Sequence, residues 1–321
     1  MSFELILPFL RPIEPLLLDE TISEIMGNPD ASWWYERDGI IHRGKTISFA
    51  AGKLRTGLEV IANQLGKRLD EDNPILHAQL PDGSRLAAVI PPVVRVTPAL
   101  IIRKFTSRHY TVDDLIARGT LPRHLSDFLA EQIRSGKTLL ISGGTDTGKT
   151  TLLRILADFI SDHERLVVIE DTSELQIQKP NILAVECQTD TFKANITFDD
   201  LLKSALRWRP DRIILGEVRG IEARTLLDSF NTGHTGSLAT IHANSAEKAL
   251  HRFANLVMRN HAQTTFSDTE AEIAEAVDFV VHVERQPGRR IVREVLGLRG
   301  YDRDAKRFLI EPVFEVKHVA A

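Results

Sequence analysis

The stretch TLLISGGTDTGKTT at 138–151 sets Gly143, Gly148, Lys149 and Thr150 at the spacing G-x-x-x-x-G-K-[ST]. Residue types and spacing together describe a cradle for a chain of phosphates. Glycines let successive backbone N–H groups turn into one concavity. A lysine at this place reaches the β- and γ-phosphates, and the hydroxyl that follows it ligates Mg2+. The cradle residues are then Gly143, Gly144, Thr145, Asp146, Thr147, Gly148, Lys149, Thr150 and Thr151. Asp146 is out of character, because it sets a negative charge among groups meant for an anion. Since such a cradle is made of main-chain amides, a side chain at the middle of the loop is expected to point to solvent, where its field is screened.

A loop of this kind needs a strand before it and a helix after it. Leu139, Leu140 and Ile141 form a buried-strand run, and Leu152, Leu153, Ile155, Leu156 and Phe159 recur at helical spacing. From residue 138 onward the strand candidates LVVIE, LAVEC, RIILGE and SLATIH alternate with helical segments. Thr197–Asp200 and Ser267–Glu270 have the form of capping boxes. That alternation predicts a largely parallel sheet with helices on its faces and ligands at the carboxyl ends of its strands. The residues that follow the strands are therefore the ones to inspect. Glu170, Asp171 and Glu174 follow LVVI, Gly216, Glu217 and Arg219 follow RIIL, and His234 and His242 lie in NTGHTGSLATIHANS. All are expected on one rim. A carboxylate buried there holds a metal-bound water or orients the attacking one, and Glu174 and Glu217 are the candidates. The eight-residue spacing of the histidines does not give one helical face, which argues against a zinc pair and for neutral imidazoles that sense phosphate.

At 321 residues the chain has room for about two domains. Its net charge of −4 gives no global basic footprint for nucleic acid. The lone Cys187 excludes an intrachain disulfide and is expected to be a buried, inert thiol in a reducing compartment. The first twenty residues lack a basic region ahead of their apolar run, and no stretch of 18 apolar residues occurs, so neither a signal peptide nor a membrane span is expected. Residues 1 to about 105 read as mixed α/β: strands in ISEIMGN, SWWYERDGIIHRG, ILHAQL, SRLAAVI and ALIIRKF, a helix over ISFAAGKLRTGLEVIANQLG, and a hairpin turn at Asp38-Gly39. Trp33, Trp34 and Tyr35 are expected as an aromatic strand packed on a helix. Residues 107–137 read as a hinge followed by two helices, the first opened by Thr111, Asp113 and Asp114 and the second following Pro122.

The order GGTDTGKTT, VVIEDTSELQ, LRWRPDRIILGEVRG and NTGHTGSLATIHANS resembles the secretion, or traffic, ATPases of type II and type IV secretion and conjugal transfer. The resemblance extends upstream to LPDGSRLAAVIPP and ALIIRKF. It implies an α/β chain with a RecA-like P-loop NTPase domain (138–321), a smaller N-terminal α/β domain (1–106) and a linker with lead-in helices (107–137). It further implies a homohexamer that uses ATP and Mg2+ at the cytoplasmic face of the inner membrane, with the membrane components of a secretion, conjugation or pilus machine as partners. Peripheral membrane association fits this picture, and sequence-specific nucleic-acid binding does not. By the same resemblance Glu174 activates water and Glu217 manages the metal, two roles open to exchange, with Thr150 and Glu170 as further metal-side residues. Arg85 and Arg103 match arginines brought to the phosphates from the N-terminal domain, and Arg207, Arg209 and Arg219 are phosphate-side or interface candidates. Asp146 departs from the family, which usually has glycine there. The stretch HVERQPGRRIVREVLGL is closest to conjugal-transfer and tight-adherence pilus members, and its basic run reads as a solvated hairpin. Two other readings share the loop: a RecA-type nucleic-acid motor, and a nucleotide-gated assembly scaffold with little turnover.

Overall fold

Two kinds of apolar patterning separate the two halves of the chain, and the sheets follow them. The computed structural model describes residues 7–37, 39–44, 47, 49–50, 52–105, 110–188, 195–259, 264–286 and 288–316. It divides into two compact units, Met1–Arg108 and His109–Ala321.

In the first unit apolar residues alternate along strands such as Ile22–Gly27, Arg85–Val89 and Ala99–Arg103, which buries one face of each of these. Strands β1 (Ile22–Gly27), β2 (Trp33–Arg37), β3 (Ile40–Arg43), β4 (Ile75–Gln79), β5 (Arg85–Val89) and β6 (Ala99–Arg103) form an antiparallel sheet in the order β3-β2-β1-β6-β5-β4. Helices α1 (Glu14–Leu18) and α2 (Lys53–Gln64) supply Leu17, Leu54, Leu58 and Ile61 to the core beneath it. Trp33 is buried in that core against Phe49, as the aromatic-strand reading expects. Helix α2 starts later than its periodicity suggests, behind Gly52 at φ 73°, a left-handed conformation that glycine adopts without strain. The turn between β2 and β3 includes Asp38, which lies outside the described residues, but Arg37 pairs with Ile40 across it.

The second unit carries continuous apolar strands, the signature of a sheet buried on both faces. Its strands are β7 (Leu139–Gly143), β8 (Leu166–Glu170), β9 (Ile182–Glu186), β10 (Arg212–Val218), β11 (Leu238–His242), β12 (Phe279–Gln286), β13 (Arg289–Asp302) and β14 (Arg307–Glu315), in the order β14-β13-β12-β7-β11-β10-β8-β9. From β12 to β9 every neighbouring pair is parallel. Successive residues of a strand feed opposite cores. Leu139, Ile141, Val168 and Ile214 meet α3 (Val112–Ala117), α4 (Arg123–Arg134) and α5 (Lys149–Ala157). Leu140, Val167, Ile213 and Ile241 meet α6 (Phe198–Ala205), α7 (Glu222–Asn231), α8 (Ala246–Met258) and α9 (Phe266–Ala276). The helices expected as a lead-in thus contribute Leu115, Leu125, Leu129 and Ile133 to this unit's own core.

Caps set several helix starts. Thr111 with Asp114 and Thr197 with Asp200 form reciprocal capping boxes, as expected. The cap expected at Ser267 is two residues earlier, where Thr265 accepts the Asp268 N–H. Glu270 is instead buried, accepting from Tyr301 Oη at 2.7 Å and lying 2.7 Å from His251 Nδ1. The basic run at the chain's end is not only a solvated hairpin either: Val292, Val295 and Leu296 of β13 are buried beside β12. Cys187 is half-buried, and burial pushes its thiol up to about 12, which keeps it inert.

At the amino ends of the parallel strands, Arg212 is 3% exposed, pairs with Glu164, and donates to the carbonyls of Ile133 and Gly236 at 2.6 and 3.2 Å. Removing the guanidinium leaves those acceptors unmatched, so Arg212→Ala is expected to lower the unfolding free energy by roughly 3 kcal/mol, the low end for a broken buried pair because Glu164 is partly exposed. Urea denaturation checks this, and a loss under about 1 kcal/mol contradicts the assignment.

Candidate functional site

The loop between β7 and α5 is shaped by a close approach. A Cβ on Gly143 would meet Thr147 Oγ1 and the Val283 carbonyl oxygen at 2.5 Å each, so only glycine fits. Gly148, at φ 91°, caps α5 and turns the chain into it. Thr147 Oγ1 donates to the Gly144 carbonyl at 3.0 Å, and Lys149 Nζ donates to the same oxygen at 2.6 Å. The buried lysine is therefore folded over its own loop. The helix start adds a positive partial charge there. Thr145 is exposed, while Thr150 and Thr151 are half-buried in the first turn of α5.

Asp146 does not point away to solvent as expected. Held at φ 57°, its carboxylate pairs with Arg285, and Arg290 Nη2 donates to Asp146 Oδ1 at 2.9 Å. Arg290 Nε also donates to the Asp146 carbonyl at 3.1 Å. The acid is neutralised by cations from the β12–β13 hairpin, 139 and 144 residues away in sequence.

Three further strands end on the same edge as this loop. Glu170 closes β8, only 5% exposed, and its Oε1 accepts the N–H groups of Glu174 and Leu175 at 2.9 Å each. Burial pushes its carboxyl up to about 7, against the pull of those two N–H groups. Glu174 is thus placed by a hydrogen bond to its own backbone. On β10 the register to β11 slips between Leu215 and Val218, a bulge that re-aims Glu217. Gly216 fits this bulge because a Cβ there would be 3.3 Å from Glu170 Cγ. Glu217 then bridges two neighbours: His242 Nε2 at the end of β11 is 3.1 Å from its Oε1, and Arg219 Nη2 donates to its Oε2 at 2.9 Å. Arg219 also reaches Asp171 at 3.0 Å, which raises its own pKa further. Glu222 holds the loop carrying Arg219 by accepting its N–H and that of Gly220 at 2.5 and 2.7 Å. His242 is held below the usual histidine range, first by burial and then by the Lys149 charge, so it is neutral at neutral pH.

Lys149, Glu170, Glu174, Glu217 and His242 are accordingly brought to one rim. His234 is not: it precedes β11, whose first residue Leu238 pairs with Leu139 at the start of β7. It sits beside the Ser229 carbonyl, 3.3 Å from Nδ1, on the opposite edge of the sheet, with the rise from Leu238 to His242, about 13 Å at 3.3 Å per residue, between the two edges. Arg207 and Arg209 likewise precede β10 and stand at that far edge, whereas Arg219 is at the rim. Arg85 and Arg103 belong to the first unit, facing each other in register on β5 and β6. Arg285, Arg290 and Glu222 also reach this rim without a local signal in the sequence, where the hairpin arginines stand only in a charge run. Among the described residues no cluster of three His, Cys, Asp or Glu side chains forms a ready metal cage.

The Glu170 carboxyl makes a pH prediction. Its folded pKa is raised above the unfolded one, so its contribution is present below about 4.5 and is lost as pH rises through about 7. Glu170→Gln keeps the acceptor and removes the ionisation. Thermal melts are expected to show wild type losing stability relative to this variant between pH 5 and 8, by up to roughly 3 kcal/mol. Glu170→Ala, which orphans two amides, destabilises at every pH by about 1–3 kcal/mol. A pH-independent difference between wild type and Glu170→Gln contradicts the titration.

The chain matches the Type II/IV secretion system protein family over residues 10–295. It is 38% identical over 289 residues to conjugal transfer protein TrbB of Rhizobium radiobacter, an alignment covering 88% of this chain and 85% of that one. It is 31% identical to the type IV secretion system protein VirB11 of Bartonella henselae, with 91% and 92% covered. Among solved structures, the Legionella pneumophila ATPase DotB shares the fold at a TM-score of 0.61 with 18% identity, covering 95% of this chain and 83% of that one. No helix among the described residues is long and apolar enough to cross a membrane. With a family match over most of its length and such relatives aligned nearly end to end, the chain belongs to the type II/IV secretion ATPase family.

Proposed function

We propose that the protein hydrolyses ATP to ADP and phosphate, as a homohexamer, to energise substrate transfer or pilus assembly by a type IV secretion or conjugation machine. The observation that carries this is the convergence of the Gly143–Thr150 loop, Glu174, and the chain Asp171–Arg219–Glu217–His242 on one edge of a parallel sheet. A cradle that a Cβ would fill, a buried lysine folded over it and a helix start fit a triphosphate. Thr150 and Glu217 fit Mg2+, which when bound neutralises charge on the β- and γ-phosphates. Glu170 we assign to holding the Glu174 loop, because its Oε1 is committed to backbone amides. Glu174 then takes the role of orienting and deprotonating the attacking water. Glu217, balanced between Arg219 and His242, registers charge at the rim. Arg85 and Arg103 are proposed to act on the phosphate side. The relatives named for conjugal transfer and type IV secretion support the cytoplasmic face of the inner membrane as the place of work.

Turnover of purified protein measured against its concentration tests the assembly: a rate that climbs with concentration and ignores DNA supports the hexameric transfer motor. Stimulation by DNA instead supports a nucleic-acid motor. Glu174→Gln is expected to lower kcat at least a hundredfold while the ATP Kd stays within threefold, and Lys149→Ala to abolish binding. Unchanged turnover in Glu174→Gln removes that residue from the chemistry.

A further inference from the structure

Strand β12 pairs in parallel with β7 up to Val283 beside Gly143, and then continues for three residues past the end of its neighbour. The overhang carries Arg285, and its register partner on β13 is Arg290. Both guanidinium groups therefore stand over the glycine loop, one on each oxygen of the Asp146 carboxylate. Arg290 is pressed closely enough on the loop that a Cβ on Gly148 would lie 3.2 Å from its Cδ. Taken singly these are part-exposed ion pairs of small worth. Taken together they fix the loop at three points, two on the carboxylate and one on the Asp146 carbonyl.

We propose that Arg285 and Arg290 are positioning residues for the nucleotide, acting through Asp146. The inference rests on the ATP site proposed above. An acid in the loop opposes a triphosphate, whereas one acid held by two guanidinium groups is a trio with one net positive charge, added to that of Lys149. The same contacts hold the loop in the shape that receives phosphate. Affinity therefore depends on a hairpin remote in sequence, and Asp146 is what keeps the two arginines beside the loop. Without it they extend into solvent, where screening removes most of their effect.

A double-mutant cycle on the full chain, read as the Kd of a fluorescent ATP analogue with Mg2+, tests this. Arg285→Ala with Arg290→Ala is expected to weaken binding about tenfold, roughly 1.4 kcal/mol. With Asn in place of Asp146 the same arginine pair is expected to cost no more than about twofold, because no acid then remains in the loop to be offset. Arg285→Lys with Arg290→Lys, which keeps the charge, is expected to stay within about threefold of wild type. In turnover the effect falls on KM, with kcat within about threefold. Equal arginine costs with Asp or Asn at 146, or no cost at all, overturn the proposal while leaving the site reading intact. Wild type that binds no nucleotide overturns the site reading and this proposal with it. If the double arginine variant does not fold, Arg290→Ala with and without Asp146→Asn separates the same outcomes.

Discussion

Parallel strands all end on the same edge of their sheet, and the site depends on that constraint. Register places Gly143 of β7 beside His242 of β11, while Glu170 and Glu217 close the two strands beyond. No side chain has to find another over a distance. Polar groups appear where the backbone leaves the sheet, and the strands behind them are apolar on both faces, so burial holds the rim while the rim itself stays polar. Among the parallel pairs of the described residues, only that of β10 with β11 slips in register. Its bulge turns Glu217 toward His242, and the missing side chain of Gly216 lets Glu170 pack beneath.

What could be read from the sequence was local. The runs LLIS, LVVI, RIIL and LATI are buried strands because both faces are covered, and their apolar continuity says so directly. The glycine loop was legible for the same reason: spacing within eight residues defines it. Partnerships across more than a hundred residues were not legible. Asp146 reads as a solvated acid until β12 is known to pair with β7. The arginines of the hairpin conceal Val292, Val295 and Leu296 between them, so a strand buried on both faces through its middle looked like a charge run. His234 shows a different failure. The histidine motif spans a strand, and a strand separates its ends, so two histidines close in sequence stand on opposite edges. At α9 two stretches fit the capping pattern, and burial of Glu270 against His251 and Tyr301 decides between them.

The acids of the rim divide by environment. Glu170 is buried with no ion pair among the described residues, so desolvation raises it, and two backbone amides donate to one of its oxygens. Glu217 and Asp171 share Arg219, and Glu217 also lies 3.1 Å from the neutral His242 imidazole. One carboxyl thus organises a loop, and the others carry charge that an anion or a metal would feel. The separation follows from which acid has an arginine within reach and which has only main chain.

Asp146 brings two costs into the glycine loop, and the hairpin addresses both. A non-glycine residue at φ 57° is sterically disfavoured by roughly 1–2 kcal/mol, a cost that short polar side chains reduce when they hydrogen-bond locally. Its charge opposes the anion that the loop is shaped to hold. Hydrogen bonds from Arg290 to both its carboxylate and its carbonyl fix the backbone in that conformation, and the pair with Arg285 turns the local balance from neutral to positive. A glycine here would need neither arginine. The acid and the two arginines therefore stand or fall as one unit, which ties the shape of the loop to the end of β12 and the start of β13 rather than to the loop's own sequence.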